Sequence, residues 1–567
     1  MTWYQQTTAE IIKLINSQLT EPLALATDLV IPPQSELGDL SWPCFTAAQR
    51  LGLAPGVLAQ DLVAKLGVSS SPLIAGWQAV GPYLNLRLAG QSLATGVLAE
   101  IETALADYGR SSEGQARRIM IEYSNANTHK EYHIGHLRNL FYGDSIQRIL
   151  NFLGYQAIPV SYLNDFGIHV AKVLWKLSQQ PTDQPVPENR GYYLGQLYAQ
   201  ASQELPSDPI GQGLVGAIMK RLEAKQQPEY GRWQETRQWS VDQFNEIYRQ
   251  LDVHFEQTFF ESDYLDEGRQ LVEAMLADGR LEKSQGALLA NLEAENLGVL
   301  LFLRSDGTAL YPVADLPLAK DKFEKYQLDE SWYVIDERQS LYFKQLAIVL
   351  RRLGVDRPIR HLSYSFVKLP TGLMSSRQGN VITYEQLKQE LLDNELAEIN
   401  SRHSDWSEEQ RQQTAWQVVV GALKFEMVKV GPDKPITFDI NQALSFEGYT
   451  AAYIQYAAVR LAALIRQTNL SVSQTVIDWT PAEPLEKIIL LNLSRFSQVI
   501  SQAGQQTDPA VLAQYLFELA QQFNDYYQKT RIIGSDQEVG RLRLVTAIRQ
   551  VLVNGLNLLG INAPEAM

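Results

Sequence analysis

The sequence predicts an α/β multidomain protein: a Rossmann-like parallel-sheet domain with insertions, a small N-terminal α/β domain and a C-terminal all-α helical bundle. The chain has 567 residues, enough for roughly three to five domains. Residues 118–162 run through strand, polar loop, helix and strand patterns, which is the order of a parallel α/β sheet. From about residue 384 to the end, apolar residues recur at helical spacing.

The small N-terminal domain is expected to cover residues 1–112. Apolar residues recur with helical periodicity at 11–19, 43–50 and 57–66. Residues 84–88 alternate between apolar and polar, which is typical of a half-buried strand. The small, polar residues 109–115 indicate a linker to the next domain.

The central region, residues 113–385, carries the predicted parallel sheet. A strand over 118–123 precedes a polar loop and a helix over 135–152, and a second strand follows over 157–162. Inserted segments are expected over about 177–298, because the first part of this stretch is rich in Gln, Pro and Tyr rather than periodic.

The region after the insertions is predicted to contain a β-hairpin and a further strand. Asp306-Gly307 lies between the apolar runs 299–303 and 309–313, which is a strong hairpin signal. A short apolar strand follows over 332–335. Two helical regions complete the chain, a connecting region over 386–445 and the α-helical C-terminal domain over 446–567.

Composition excludes several classes of protein. Apolar residues make up 45% of the chain and charged residues 20%, which is ordinary for a globular protein. No stretch is apolar enough to cross a bilayer, and the N-terminus lacks a signal-peptide pattern. The single cysteine, Cys44, cannot form an internal disulfide or a thiolate zinc cluster. We therefore expect a soluble, cytoplasmic protein with no membrane partner and no metal site of its own.

The net charge of −15 disfavours nucleic-acid binding, because phosphates bind Lys and Arg. The charge is unevenly distributed, however: residues 446–567 contain nine Lys/Arg and ten Asp/Glu. This nearly neutral C-terminal part of an acidic protein permits an RNA-binding surface there.

One glycine motif is dismissed as a nucleotide site. Residues 211–216 read Gly-Gln-Gly-Leu-Val-Gly and match the dinucleotide-binding fingerprint. That fingerprint requires a strand before its first glycine, and here the preceding residues 205–209 contain two prolines and no strand pattern.

Three of the seven histidines fall within eight residues: His129, His133 and His136. They lie between the first predicted strand and its helix, at the edge where open α/β sheets bind ligands. Gly135 allows a close approach to the free amides of the helix start, and Lys130 adds a cation, so the segment suits a phosphate. The alternative is a pair of capping or core histidines; a zinc site is disfavoured because the H-E-x-x-H spacing is missing.

A second cluster follows some 240 residues later, within residues 373–380, which read Leu-Met-Ser-Ser-Arg-Gln-Gly-Asn. Two hydroxyls, a cation and a glycine in a polar loop suit the capture of a phosphate. Most such loops are only loops, and this one gains weight only in combination with the histidine segment.

Together the His-Ile-Gly-His and Met-Ser-Ser-Arg segments resemble the two motifs of class I aminoacyl-tRNA synthetases. The residues around the first motif resemble those of arginyl-tRNA synthetases in particular. Further resemblance is found at Asn-Asp-Phe-Gly (164–167), Ser-Asp-Gly-Thr-Ala-Leu-Tyr (305–311), Tyr-Val-Ile-Asp (333–336) and Tyr-Ile-Gln-Tyr-Ala (453–457). The resemblance covers nearly the whole chain.

The resemblance implies a set of site residues. The catalytic residues would be His133, His136, Lys130 and Arg377, and the ATP-binding residues Ile134, Gly135, Met374, Ser375 and Ser376. Arginine would be held by Glu122, Ser124, Asn127, Tyr311, Asp315 and Gln339. Carboxylates among these suit a guanidinium, which is planar, permanently charged and rich in donors.

Two positions depart from the family pattern. Leu373 stands where the second motif often begins with lysine, and the resemblance makes Lys130 the substitute cation for the leaving pyrophosphate. Ala314 replaces a larger polar or basic residue before Asp315.

The implied activity is the two-step ligation of L-arginine to tRNA(Arg), with ATP and its Mg²⁺, by a monomeric enzyme. Arginyl-adenylate forms first, and the arginyl group then moves to the 2′-hydroxyl of the terminal adenosine. The implied tRNA contacts are Asn85, at the tRNA elbow, and Tyr449, Tyr453, Tyr456 and Arg460, which the spacing places on one helical face. The alternative for these tyrosines is packing within a helical bundle.

Three other functions are weighed against this one. A small-molecule nucleotidylyltransferase would share the histidine motif but would not need the N-terminal and C-terminal domains. Another class I synthetase is disfavoured by the missing zinc-binding cysteines and by chain length. A non-catalytic RNA-binding paralogue is supported only by Leu373.

Overall fold

The N-terminal part of the chain is a three-stranded antiparallel sheet with helices packed against it. The computed structural model describes residues 2–67, 71–181, 185–370, 382–468 and 479–567. The first elements are α1 (Trp3–Ser17), β1 (Leu40–Pro43), α2 (Phe45–Leu51), α3 (Pro55–Leu66), β2 (Ile74–Val80), β3 (Tyr83–Leu88) and α4 (Gly90–Ala104). The sheet has the strand order β1-β3-β2, and buried leucines of β3 form its core.

The central part is an α/β domain with helical and β insertions. Its elements are β4 (Arg118–Glu122), α5 (Ile134–Phe152), β5 (Gln156–Leu163), α6 (Ile168–Leu177), α7 (Arg190–Glu204), α8 (Pro209–Glu223), α9 (Glu229–Gln250), β6 (Gln257–Phe260), α10 (Glu261–Ala277), β7 (Glu282–Ser284), β8 (Ala287–Asn291), β9 (Val299–Leu303), α11 (Pro312–Tyr326), β10 (Glu330–Asp336), α12 (Ser340–Arg352), β11 (Ile359–Tyr364) and β12 (Val367–Lys368).

The C-terminal part is almost entirely helical. Its elements are α13 (Tyr384–Arg402), α14 (Glu408–Val428), β13 (Ile436–Thr437), α15 (Ile440–Ala443), α16 (Ala451–Arg466), α17 (Pro484–Ser494), α18 (Phe496–Gln506), α19 (Pro509–Lys529) and α20 (Glu538–Leu558). The short strand β13 pairs with β12 and is the exception to the predicted all-helical pattern. In the described residues no helix is both long and apolar enough to cross a membrane.

The central sheet has five strands in the order β11-β10-β4-β5-β6, and all of its pairs are parallel. The chain leaves β4 in one direction, toward β5, while β10 lies on the other side of β4. Such a change of direction opens a crevice at the carboxyl ends of the strands, where α/β sheets bind ligands. The predicted parallel sheet and the domain classes on either side of it are confirmed.

Helix α5 connects the sheet edge to the C-terminal bundle. Fourteen of its nineteen residues are buried, as expected for a helix with packing partners on every side. It packs against β5 and also against α14, α18 and α20. Near its middle, the Tyr142 hydroxyl donates to the Thr507 carbonyl at 2.9 Å. The helix that begins with the two motif histidines therefore shares one core with the bundle.

Two features of the sequence prediction need correction or comment. The predicted hairpin over 299–313 is confirmed in part: the chain reverses between Leu303 and Ala309, which form an antiparallel bridge, and the Leu310 amide donates to the Phe302 carbonyl. The first run is strand β9, but the second run forms no strand beyond this bridge. Pro312 begins helix α11 instead, because proline is pre-organised for the first helical turn. The glycine motif 211–216 lies inside helix α8, which agrees with its dismissal as a nucleotide site.

Candidate active site

The loop between β4 and α5 lies at the carboxyl edge of the sheet and carries the first motif. Two of its residues have left-handed backbone conformations, Ser124 with φ 59° and His129 with φ 60°. The Ser124 hydroxyl bonds with the hydroxyls of Tyr132 and Tyr248 at 2.9 and 2.8 Å. Buried hydrogen bonds of this kind fix the loop in one conformation, and uncommon backbone conformations persist only where the surroundings hold them.

His133 and His136 cap the start of α5 with their Nδ1 atoms. Nδ1 of His133 accepts from the Gly135 amide at 3.1 Å, and Nδ1 of His136 accepts from the His133 amide at 3.1 Å. The two rings lie 3.8 Å apart, centroid to centroid. Because each Nδ1 is an acceptor, the proton of each neutral ring lies on Nε2.

Both rings are uncharged near neutral pH. Burial and the charge of Lys130 lower the pKa of His133 to about 4. Burial, His133 and Lys130 lower the pKa of His136 well below its usual value. The pair therefore offers two neutral Nε2–H donors at the helix N-terminus, where an anion is favoured.

The third histidine of the cluster is structural. His129 is fully buried, and its ring nitrogens bond with the hydroxyls of Thr128 and Thr236 at 2.9 and 2.8 Å. Burial lowers its pKa to about 3, so the ring is neutral.

A cavity of about 420 Å³ lies at the crevice beside the histidine loop. Five of the six side chains that the resemblance assigned to arginine line it: Glu122, Asn127, Tyr311, Asp315 and Gln339. Ser124 does not line the cavity, because its hydroxyl faces the two tyrosines. The remaining polar lining consists of Asn125, Tyr162, Asn164, Lys322, Tyr333 and Tyr342.

Two carboxyl groups at this site have raised pKa values: Asp315 lines the cavity, and Glu261 accepts a hydrogen bond from the lining residue Asn164. Burial raises the pKa of Asp315 to about 6, with a hydrogen bond from Tyr342 acting in the opposite direction and the charge of Glu122 adding to the rise. Burial also raises the pKa of Glu261 to about 7, and the charge of Asp315 adds to that rise. Asp315 Oδ1 has no hydrogen-bond partner among the described residues. A cation bound beside Asp315 would stabilise the ionised form of these carboxyl groups.

The second motif lies outside the described residues, and with it Leu373, Met374, Ser375, Ser376 and Arg377. The residues that follow it are described and meet the first motif. The Ile134 amide donates to the Ile382 carbonyl at 3.3 Å, and His133 pairs with Thr383 in an isolated β-bridge. Residues 382 and 383 therefore lie next to the start of α5.

Comparison with known proteins identifies the family. Residues 100–432 match the family described as "tRNA synthetases class I (R), catalytic domain". An arginine–tRNA ligase of Bdellovibrio bacteriovorus is 37% identical over 95% of this chain and 94% of its own length. The chain belongs to the arginyl-tRNA synthetase family. Membership of a class I synthetase family implies ATP as a substrate.

Other matches of this arginyl-tRNA synthetase family member cover both ends of the chain. Residues 5–88 match the arginyl-tRNA synthetase N-terminal domain, and residues 454–567 match the DALR anticodon-binding domain. An arginine–tRNA ligase of Streptococcus suis is 33% identical over 94% of this chain and 95% of its own. The Thermus thermophilus arginyl-tRNA synthetase superposes with a TM-score of 0.80 at 26% identity, covering 99% of this chain and 100% of that one.

Sequence reasoning missed several polar residues that line this synthetase's cavity or contact its lining. Asn164 follows β5 and Glu261 follows β6, so both lie at carboxyl ends of parallel strands. Asn164 Nδ2 donates to Glu261 Oε2 at 3.1 Å. Ligands bind at the carboxyl ends of parallel strands, and this rule located the loop after β4. Applied to β5 it indicates Asn164, and applied to β6, which the sequence analysis did not predict, it indicates Glu261. Nothing in the sequence indicates that Lys322 is buried in the cavity wall, because a lysine on a helix normally faces solvent.

Asn85, the implied contact at the tRNA elbow, lies on β3 and is 2% exposed. A tRNA contact at this position stays a prediction. The strand pattern was read correctly, but alternation alone does not say which face of β3 is covered.

The four residues predicted to share one helical face in the C-terminal domain do not all lie on one helix. Thr450 caps α16, so Tyr449 precedes that helix rather than sharing its face. The rings of Tyr449 and Tyr453 pack against Phe517, with centroids 5.0 and 5.3 Å away. The Arg460 guanidinium lies 4.0 Å above the Tyr527 ring. Tyr456 is 39% exposed. Bundle packing therefore accounts for most of this group, and Tyr456 remains available at the surface.

Lys322 and Glu122 form an ion pair inside the cavity wall. Both side chains are almost completely buried, and the ammonium group lies 4.8 Å from the Tyr333 ring centroid. The other Glu122 oxygen accepts from Asn125 Nδ2 at 2.8 Å. Removing one member of a buried pair leaves an uncompensated charge, which is more costly than losing the pair as a whole.

We expect Lys322→Met to lower the free energy of unfolding by about 3–5 kcal/mol, because Glu122 would remain buried without a partner. Urea denaturation followed by circular dichroism measures this. The double variant Lys322→Met/Glu122→Gln should recover most of the loss. Lys320→Met is the matched control on the same helix, because its ammonium group is exposed. Equal stability of Lys322→Met and Lys320→Met would contradict the role of the pair.

Proposed function

We propose that this protein ligates L-arginine to tRNA(Arg): it activates arginine with ATP and transfers it to the 2′-hydroxyl of the terminal adenosine. The observation that carries the proposal is the cavity at the sheet crevice, where Asp315 has a buried carboxylate oxygen without a hydrogen-bond partner among the described residues. Relatives named arginine–tRNA ligase, 31–37% identical over nearly the full length, support the same activity.

The carboxyl groups select the guanidinium of arginine. Asp315 and Tyr311 line the cavity, and Glu261 is hydrogen-bonded to the lining residue Asn164. The charges of both carboxyls raise the pKa of Tyr311 in addition to burial. A guanidinium offers five donors in a plane and remains charged at all working pH values, so it satisfies the free Asp315 oxygen and neutralises the pair. Lysine has a single compact ammonium and cannot bridge both carboxyls in the same way.

We assign the α-amino and carboxylate groups of arginine to the other polar side chains that line the cavity. Glu122 ends β4, Asn127 lies in the histidine loop and Gln339 follows β10. Ser124 acts on this end indirectly, because its hydrogen bonds to Tyr132 and Tyr248 hold the loop.

In the activation step, a carboxylate oxygen of arginine attacks the α-phosphorus of ATP, and the bond to the bridging oxygen of pyrophosphate breaks. The neutral Nε2–H groups of His133 and His136 donate to phosphate oxygens as negative charge develops. Lys130 and Arg377 supply positive charge to the leaving pyrophosphate. The backbone of Ile134 and Gly135, together with Met374, Ser375 and Ser376, binds the nucleotide.

Mg²⁺ enters this scheme with the nucleotide. Within the described part of the chain, no group of three or more His, Cys, Asp or Glu side chains is arranged to hold a metal ion. Mg²⁺ is usually held by a few ligands together with substrate phosphates, so the phosphates would be its main ligands here. Bound there, it would neutralise phosphate charge.

The remaining parts of the chain would bind the tRNA. We propose that residues 1–112 contact the tRNA elbow and that residues 113–385, with insertions over 177–298, carry out the chemistry. Residues 386–445 would connect this catalytic domain to residues 446–567, which would bind the anticodon. In that last domain, exposed Tyr456 is the best-placed aromatic ring for stacking on an unpaired base. The chain would act as a cytoplasmic monomer.

Aminoacylation of tRNA(Arg) with labelled arginine tests the proposal, with citrulline as the matched competitor. Citrulline has nearly the shape of arginine but a neutral urea group. We expect arginylation, with discrimination against citrulline of about 10⁴-fold or more, because the buried carboxyls would be left without their cation. No charging by the folded protein, or charging with citrulline at a similar rate, would contradict the proposal.

Arginine binding should depend on pH because both carboxyls must ionise to bind a cation. Burial raises the pKa of Asp315 to about 6 and that of Glu261 to about 7, so protons occupy the site as the pH falls through that range. Below neutrality, arginine must displace a proton from each carboxyl that has become protonated. For each such proton we expect the KM for arginine to rise about tenfold per pH unit, while the KM for ATP stays nearly constant. Glu261→Gln should remove the upper transition and leave the lower one. A flat profile for arginine would contradict this account.

A further inference from the structure

Helix α7 belongs to the inserted segments, yet it packs directly against the catalytic loop. Gly195 lies so close to the loop that a Cβ at this position would be 2.7 Å from the Glu131 amide nitrogen. The opposite side of α7 is fixed by Leu194 and Leu197, which are buried in a small core with Val173 of α6. The insertion therefore forms part of the wall around the residue that precedes Glu131, which is Lys130.

One turn after Gly195, the ring of Tyr198 faces two lysines. The Lys130 ammonium lies 5.2 Å from the ring centroid and the Lys172 ammonium 5.7 Å from it. Both distances fall within the range of attraction between a cation and an aromatic face. Tyr198 is partly buried and packs against the same small core that holds α7. The ring is thus a fixed surface, whereas a lysine side chain has four flexible methylene groups.

The position of Lys130 matters because this chain has Leu373 where the second motif often has lysine. The Lys130 ammonium is also close enough to the histidine pair for its charge to lower the pKa of both His133 and His136. A flexible cation contributes most to a transition state when its position is set before the reaction.

We propose that Tyr198 is a positioning residue for the activation step: its ring holds the Lys130 ammonium beside the histidine pair, ready for the leaving pyrophosphate. Lys172 shares the ring and adds positive charge around the same anion. The inference rests on the proposed role of Lys130, and it assigns to the insertion a part in the chemistry.

The test is arginine-dependent ATP–pyrophosphate exchange in the presence of tRNA, with four variants: Tyr198→Phe, Tyr198→Leu, Lys130→Ala and the double variant Tyr198→Leu/Lys130→Ala. Tyr198→Phe keeps the ring and should retain activity within about threefold. Tyr198→Leu should lower kcat by about 5- to 30-fold with an unchanged KM for arginine. In the Lys130→Ala background, Tyr198→Leu should have no further effect, since the two residues act as one unit. Tyr192→Leu, a second partly buried tyrosine on α7, is the control for general damage to the helix.

Three results would overturn the inference. Additive effects of Tyr198→Leu and Lys130→Ala would mean that Tyr198 acts independently of Lys130. Equal losses in Tyr198→Phe and Tyr198→Leu, or a loss in Tyr192→Leu matching that of Tyr198→Leu, would indicate a structural role. Full activity of Lys130→Ala would remove the role of that lysine, although exchange by the wild-type protein would still support the ligase activity.

Discussion

Asp315→Asn is expected to lower kcat/KM for arginine by about 10²- to 10³-fold while the KM for ATP changes little. The substitution keeps the size of the side chain but replaces a charged acceptor by an amide, which presents donors to a guanidinium. Losing one partner of a buried, hydrogen-bonded charge pair costs about 2–5 kcal/mol, which corresponds to this range. The change should appear in the KM for arginine, because the interaction forms when arginine binds.

The measurement is initial-rate aminoacylation at varied arginine and saturating ATP. Asp321→Asn is the matched control, because its carboxylate lies on the same helix and pairs with Lys325 at the surface. Urea denaturation should show similar stability for wild type and Asp315→Asn. An unchanged KM for arginine in Asp315→Asn would show that the guanidinium binds elsewhere.

His136→Asn is expected to lower kcat for ATP–pyrophosphate exchange by about 10²- to 10³-fold, which is the usual cost of removing one donor to a developing oxyanion. The His136 ring has two separate functions, because Nδ1 accepts a hydrogen bond from the His133 amide and Nε2 has no acceptor within the described part of the chain. Asn places an acceptor near the position of Nδ1, so it preserves the cap and removes the donor. Gln places an amide nitrogen near the position of Nε2, so it preserves the donor.

The comparison of the two variants separates catalysis from capping. We expect His136→Gln to retain more activity than His136→Asn, and His136→Asn to retain the melting temperature of the wild type. The KM for arginine should be unchanged in both. The opposite order, or a shared loss of stability that accounts for the loss of activity, would mean that the ring serves only to cap α5.

The parts of the site that the sequence predicts are those built from neighbouring residues. The strand, loop and helix from residue 118 to 152 are contiguous, so their order and the position of the two histidines follow from local patterns. The arginine cavity combines this loop with Asp315 and Gln339 from much later in the chain. Only the resemblance to a family brought these residues together before the structure did.

The features that the sequence could not predict depend on contacts between distant segments. Glu261 and Lys322 lie 139 and 200 positions from Glu122 along the chain, and either would be an ordinary surface residue in another fold. The turn at Asp306-Gly307 follows from a local signal, but the second strand of the predicted hairpin is cut short because Pro312 begins a helix. Likewise, helical spacing placed Tyr449 on α16, but Thr450 is the N-cap and the helix begins at Ala451.

Amino-acid-dependent ATP–pyrophosphate exchange tests the central claim most directly, run with and without tRNA(Arg) and with a panel of amino acids that includes lysine, ornithine and citrulline. The account predicts exchange with arginine alone, in the presence of tRNA. Exchange driven by another amino acid, or none with arginine in folded protein supplied with matched tRNA, would contradict it.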